Sequence, residues 1–176
     1  GNFHWARGDK RTAAAQYTRA TELSMLVIEP RAMLATYLIE QGEFDRAIAQ
    51  LESTQFLVTE VEGLTELHAL AYLRKGNAAL HGQNFIIGEA ALKRALEIDP
   101  SSTEAFNNLC NFYLTADRLK AAQILSDSFL QHNPADLFGY QLAAGVEMKR
   151  GHPRAAIAIL QRGVEQAKSQ GQTPTR

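Results

Sequence analysis

Apolar residues in this chain recur at helical spacing. Ala91, Leu92, Ala95 and Leu96 fall on one side of one segment, and Ala105, Phe106, Leu109, Cys110 and Tyr113 on one side of the next. The alternation of a half-buried strand is absent. The pattern predicts helices over about 9–22, 31–41, 44–58, 64–81, 85–97, 103–115, 118–131, 136–149 and 153–169. Punctuation residues agree with these limits. Ser101 with Glu104 three residues on reads as a capping box, and Pro153 stands where a first-turn proline is tolerated.

The helices repeat. Small residues placed just after a turn occur at Ala13, Ala47, Gly88, Ala122 and Ala156, with spacings of 34, 41, 34 and 34. Helix-stop residues at Gly8, Gly42, Gly82, Asp117 and Gly151 are spaced 34, 40, 35 and 34, and each is a residue that tolerates a left-handed helix end. Pro100 and Pro134 are again 34 apart. Three residue classes keeping one period, interrupted by one insertion of seven, establish an internal repeat.

The residues inside that period carry a resemblance. Ala69-Leu70-Ala71-Tyr72 … Gly76 … Gly88 … Leu92 … Ala95 … Pro100 resembles a tetratricopeptide repeat (TPR), as does Phe106 … Leu109-Cys110 … Tyr113 … Ala122 … Pro134. The resemblance implies an all-α fold, a right-handed α-solenoid of helix-turn-helix units stacked so that neighbours share a core. It divides the chain into a half repeat 1–27, repeats 28–61, 69–102, 103–136 and 137–170 with an insertion at 62–68, all in one domain 1–170, and a polar tail 171–176. Some positions depart from the pattern. Arg31 stands where an aromatic is usual, Thr59 and Lys168 where proline is usual, and Ser126 and Phe129 where large and small residues are usual. Seven residues are nearly two helical turns, so the insertion is expected to lengthen neighbouring helices without turning the buried face, with Gly63 marking the turn.

In this family the first helix of each repeat lines a concave groove. The outward positions map here to Glu29, Ala32, Met33, Thr36, Ile39 and Glu40, then Leu70, Leu73, Arg74, Asn77, Leu80 and His81. They continue through Glu104, Asn107, Asn108, Asn111, Leu114 and Thr115 to Phe138, Gln141, Leu142, Gly145, Met148 and Lys149. Asparagine is a mediocre helix former, so Asn107, Asn108 and Asn111 on adjacent turns call for a reason other than propensity. An amide both donates and accepts, and can pair with a peptide backbone whatever its side chains. The candidate partner-binding residues are therefore Arg74, Asn77, Asn107, Asn108, Asn111, Phe138 and Gln141. The family's dicarboxylate clamp for acidic chaperone tails does not fit, because Leu73, Phe138 and Leu142 stand where its cations belong.

Composition narrows the function. Eighteen basic against nineteen acidic residues give a net charge of −1, with no global field for nucleic acid or an anionic membrane. No apolar run approaches the roughly 18 residues of a membrane span. The five histidines, His4, His68, His81, His132 and His152, are dispersed and read as surface or helix-end residues. Cys110 reads as a buried filler at a tight helix contact. No phosphate loop or nucleophile elbow is present, so catalytic residues, metal and cofactor are expected to be none. The expected function is a protein-interaction scaffold holding a peptide or helical segment of a protein partner, not an enzyme, and a fragment of a larger protein. Alternatives are a targeting domain of a larger enzyme, or a bacterial envelope-assembly scaffold for pili, secretion or exopolysaccharide export. Cytoplasm and periplasm are both allowed, and the sequence does not set an oligomeric state.

Overall fold

The computed structural model describes residues 1–24, 27–54 and 63–169, and every regular element among them is an α-helix. These are α1 (Asn2–Ala6), α2 (Lys10–Leu23), α3 (Ile28–Glu40), α4 (Phe44–Glu52), α5 (Leu64–His81), α6 (Phe85–Ile98), α7 (Thr103–Thr115), α8 (Leu119–His132), α9 (Leu137–Lys149) and α10 (Pro153–Ser169). Their contacts fall into two compact units, Gly1–Asp99 with α1 to α6 and Pro100–Arg176 with α7 to α10. Within each unit every helix packs against the next.

Local chemistry sets the helix limits. Asp9, Asn84, Ser102 and Asp136 each cap a helix by accepting a backbone N–H three residues on. The cap of α7 is Ser102 and not Ser101, so the third helical position is Ala105, and Glu104 stands one place short of where the expected capping box needs it. Helix α3 begins at Ile28, ahead of the expected start, because Pro30 falls in the first turn, where its missing N–H would have had no helical partner. Helix α4 ends at Glu52 with Ser53 as its C-cap, short of the expected 58, and a turn at Thr54 follows; residues 55–58 of that expected helix, Thr59, residue 62 of the insertion and the polar tail 171–176 lie outside the described residues. Gly63 has φ +80 at the N-terminus of α5, and Leu64 to His68 of the inserted stretch extend that helix.

One stop residue is corrected. Gly82 has φ −78, and the left-handed residue of that turn is Gln83, with φ 59. The left-handed positions are therefore Gly8, Gly42, Gln83, Asp117 and Gly151, each five residues before a buried small residue of the next helix. Their spacings become 34, 41, 34 and 34, in step with Ala13, Ala47, Gly88, Ala122 and Ala156.

The helix pairs are held by size matching. In α5 and α6, a Cβ on Gly76 would lie 2.7 Å from Leu92 Cγ, and one on Gly88 would lie 2.5 Å from Leu80 Cδ2. In α7 and α8 the sizes are exchanged. Cys110 and the buried Ser126 occupy the places of Gly76 and Leu92, and Ser126 Oγ donates to Ala122 O at 2.9 Å. Phe129 takes the volume that Ser126 leaves, stacking on Phe106 with centroids 3.9 Å apart and planes 10° from parallel. The departure of this repeat from the family pattern is thus a compensated exchange that conserves filled volume.

In α9 and α10, Gly163 meets Tyr140, whose ring carbon Cγ would lie 2.6 Å from an added Cβ. That ring is anchored, since its hydroxyl donates to Pro134 O at 3.1 Å. Gly145, by contrast, has open space around its missing Cβ. Both glycines are interior to helices, where alanine is intrinsically better by about 1 kcal/mol. Gly145→Ala is expected to raise stability by about 0.5–1 kcal/mol, and Gly163→Ala to lower it by about 1–3 kcal/mol through overpacking. Urea denaturation of the two variants checks the opposite signs.

Candidate functional site

The mapped residues divide between the two units, and the site is built within each. Arg74 and Asn77 lie on α5 in the first unit, whereas Asn107, Asn108 and Asn111 on α7 and Phe138 and Gln141 on α9 lie in the second. In the second unit α7 and α9 are in contact, and Lys149 Nζ at the end of α9 donates to Leu114 O at 2.6 Å, at the C-terminal end of α7. A cation there meets the negative end of the helix dipole.

On α7 the structure joins two of the candidate amides. Asn111 Nδ2 donates to Asn107 Oδ1 at 3.1 Å, one turn away. The bond uses the carbonyl of one amide and the NH₂ of the other, which leaves the Asn107 NH₂ as donor and the Asn111 carbonyl as acceptor. A peptide unit presents the complementary pair. Asn111 is exposed, and Asn107 and Asn108 are half-buried beside it. Gln141 is exposed on α9, and Phe138 is half-buried at its start. Arg74 is exposed on α5, with Asn77 half-buried one turn on.

Two mapped residues face elsewhere. Leu73 is 4% exposed and belongs to the core, and Leu80 lies against Gly88 of α6. Helix α5 is flanked on more than one side, so its apolar positions serve contacts with α3, α4 and α6 as well as any outward face. Met148 on α9 does stand exposed.

His68, read from sequence as a surface or helix-end residue, is buried in the first unit. Its ring lies 5.4 Å from Tyr72, and burial pushes its pKa below the ordinary histidine value, opposed by the nearby Glu52 carboxylate and reinforced by Arg94. Tyr72 Oη in turn donates to Glu52 Oε1 at 2.8 Å, tying α5 to α4. The signal for this burial lies in the phase of α5, since His68 falls four residues before Tyr72 on the same side of the helix.

The buried Arg31 fills the place of the missing aromatic. Its Nη1 donates to Ser53 Oγ at 2.9 Å and to Gln50 Oε1 at 3.2 Å, and its Nη2 lies 3.5 Å from Thr21 O. These acceptors sit at the C-terminal ends of α4 and α2, where helix dipoles favour a cation. Cys110 is buried, and burial pushes its thiol up, away from the reactive thiolate. Among the described residues no three His, Cys, Asp or Glu gather as a metal site, and no helix is long and apolar enough to cross a membrane.

Neither protein-family models nor curated proteins yield a match to the sequence. Solved structures do match. A crystal structure of MamA superposes with a TM-score of 0.60 at 18% identity, covering 98% of this chain and 97% of that one. YrrB, described as a TPR protein with an unusual peptide-binding site, superposes with a TM-score of 0.53 at 15% identity over 94% of this chain and 81% of its own. The fold is that of the tetratricopeptide-repeat proteins. MamA residues 41 to the end from Desulfovibrio magneticus RS-1 give a TM-score of 0.54 at 16% identity, over 96% of this chain and 92% of that one. The TPR fold accounts for the paired helices and their period; the amides of α7 are a property of this chain's own sequence.

Proposed function

We propose that this TPR chain is a protein-interaction module that holds an extended segment of a partner protein, reading its backbone with amides on the first helices of successive repeats. The observation that carries the reading is the Asn107–Asn111 pair, which offers one donor and one acceptor on the outer side of α7. Asn77 is the counterpart of Asn111 one repeat earlier, and Gln141 is the counterpart of Asn107 in the repeat that follows. The half-buried Phe138 supplies an apolar anchor beside polar contacts that are tolerant of side-chain identity. A protein of similar fold, YrrB, is described by its peptide-binding site, which supports the same use here.

The energetics set the size of the test. Each amide–backbone hydrogen bond contributes about 0.5–1.5 kcal/mol net, so losing two such bonds removes roughly 1–3 kcal/mol, about 5- to 150-fold in affinity. The partner segment is defined by capture from source lysate followed by truncation to the shortest bound peptide. Asn77→Ala with Asn111→Ala is expected to weaken that peptide at least about fivefold while thermal unfolding stays nearly unchanged. Unaltered affinity in the double variant moves the interface off the first helices.

A further inference from the structure

Glycine inside a helix is intrinsically disfavoured, and elsewhere in this chain a close contact accounts for it. A Cβ on Gly76, Gly88, Gly139 or Gly163 would lie 2.7, 2.5, 2.8 or 2.6 Å from a leucine or tyrosine side chain of a neighbouring helix. A Cβ on Gly145 would meet nothing within 4 Å among the described residues, so the packing of the chain does not call for a glycine there. Gly145 follows Asn111 by 34 residues, as Asn111 follows Asn77, and the three hold one position of successive repeats. Where α9 lies beside α7 that position is still open, since Asn111 is exposed. The column of amides thus ends in a gap.

We infer that Gly145 is the seat for one large apolar side chain of the partner segment, a selective subsite next to amides that read backbone alone. The inference rests on the reading that those amides hold the partner. The register of α7 and α9 places the seat. Lys149 Nζ donates to Leu114 O, and one turn before the two ends of that link stand Gly145 and Asn111. A segment whose N–H is held by the Asn111 carbonyl meets Gly145 where it reaches α9. The lining sets the chemistry of the occupant. Leu142 and Met148 flank Gly145 one turn to either side, the first half-buried and the second 57% exposed. A methionine thioether is flexible and adapts to apolar groups of different shape. The mapped positions of α9 include no carboxylate, and their one cation, Lys149, is engaged at the C-terminal end of α7. Leu, Ile, Met or Phe of a partner gains by burial there, whereas a charged side chain would lose water without a counter-ion.

The probe is a phage-displayed library of random linear peptides of about ten residues, long enough in extended form to cross α7 and α9. The intact chain is expected to select peptides with Leu, Ile, Met or Phe enriched at one position. Replacing that residue by Ala in a selected peptide is expected to weaken binding at least about fivefold, read by fluorescence anisotropy. Gly145→Leu fills the seat and is expected to weaken the selected peptide by a similar factor while leaving its Ala derivative nearly unchanged. Met148→Ala, which removes a wall of the seat, is expected to act in the same direction on the selected peptide alone. Leucine is a good helix former, so Gly145→Leu is expected to unfold no earlier than the parent on heating. The inference alone is overturned if Asn77→Ala with Asn111→Ala weakens the selected peptides but they show no apolar preference, favour Asp or Glu, or bind the Gly145→Leu and Met148→Ala variants as tightly as the parent. Selection of no peptide, or of peptides indifferent to Asn77→Ala with Asn111→Ala, overturns the amide reading and this inference with it.

Discussion

Truncating Phe129 to alanine is expected to lower stability by about 3–5 kcal/mol, the range for removing a buried aromatic from a core that relaxes only partly. The ring is buried, stacked on Phe106, and its Cδ1 lies 3.1 Å from where a Cβ of Gly139 would stand. Its loss therefore leaves a void bordered by α7 and α9. In the preceding repeat the same places hold Gly76, Leu92 and Ala95 without strain. Importing that arrangement by adding Cys110→Gly and Ser126→Leu to Phe129→Ala is expected to recover a substantial part of the loss. Urea midpoints of the single and triple variants measure both effects. A triple variant no more stable than Phe129→Ala would show that the two size patterns are not interchangeable.

Arg31 gives the second large effect. Arg31→Ala is expected to cost about 2–4 kcal/mol, because it opens a cavity and leaves the acceptors of Gln50 and Ser53 near the end of α4 without their donor. Among the described residues no carboxylate pairs with Arg31, so its charge is answered by carbonyl and hydroxyl oxygens and by helix C-termini. One guanidinium nitrogen, Nε, is buried without a hydrogen-bond partner among the described residues, a cost that the other contacts must offset. Arg31→Met keeps the length and the packing of the stem while removing the buried charge. It is expected to be markedly more stable than Arg31→Ala and close to the parent, as replacing buried charges by apolar groups often is. Equal losses in the two variants, measured by urea denaturation, would place the contribution in the hydrogen bonds and not in the packing.

These two positions show where the sequence is legible and where it is not. Helix type and period are readable because small residues, left-handed stops and apolar spacing independently keep the same step. The stop at 82 is misplaced because glycine is the usual left-handed residue, and Gln83 takes that conformation beside it. Only the period itself, 41 and not 40 from Gly42, holds the signal. The exchange of Ser126 and Phe129 reads as two defects one residue at a time and as one compensation only when Cys110 and Phe106 are seen across the helix pair. His68 is misread for a related reason, since a polar residue type outweighs its phase on α5.

The candidate site is legible in part. The asparagines of α7 are visible as poor helix formers on one face, and the structure adds the hydrogen bond that orders Asn107 and Asn111. Leu73 could not be assigned from the repeat pattern alone, because the same first helix that presents a face outward also meets three neighbouring helices. Ile157 and Leu160 on α10 stand exposed where Ile48 and Leu51 on α4 are buried, a difference that residue type alone does not carry.

In the proposed function, amides on the first helices hold a partner's backbone. The most direct measurement follows the side-chain NH₂ resonances of Asn77, Asn107, Asn108, Asn111 and Gln141 by NMR as the shortest captured partner peptide is added. Saturable shifts of these amides at one common affinity are expected, with the Asn107 and Asn111 signals among the largest. Saturation by the peptide with all five amides unmoved, and shifts confined to α6, α8 or α10, would contradict it.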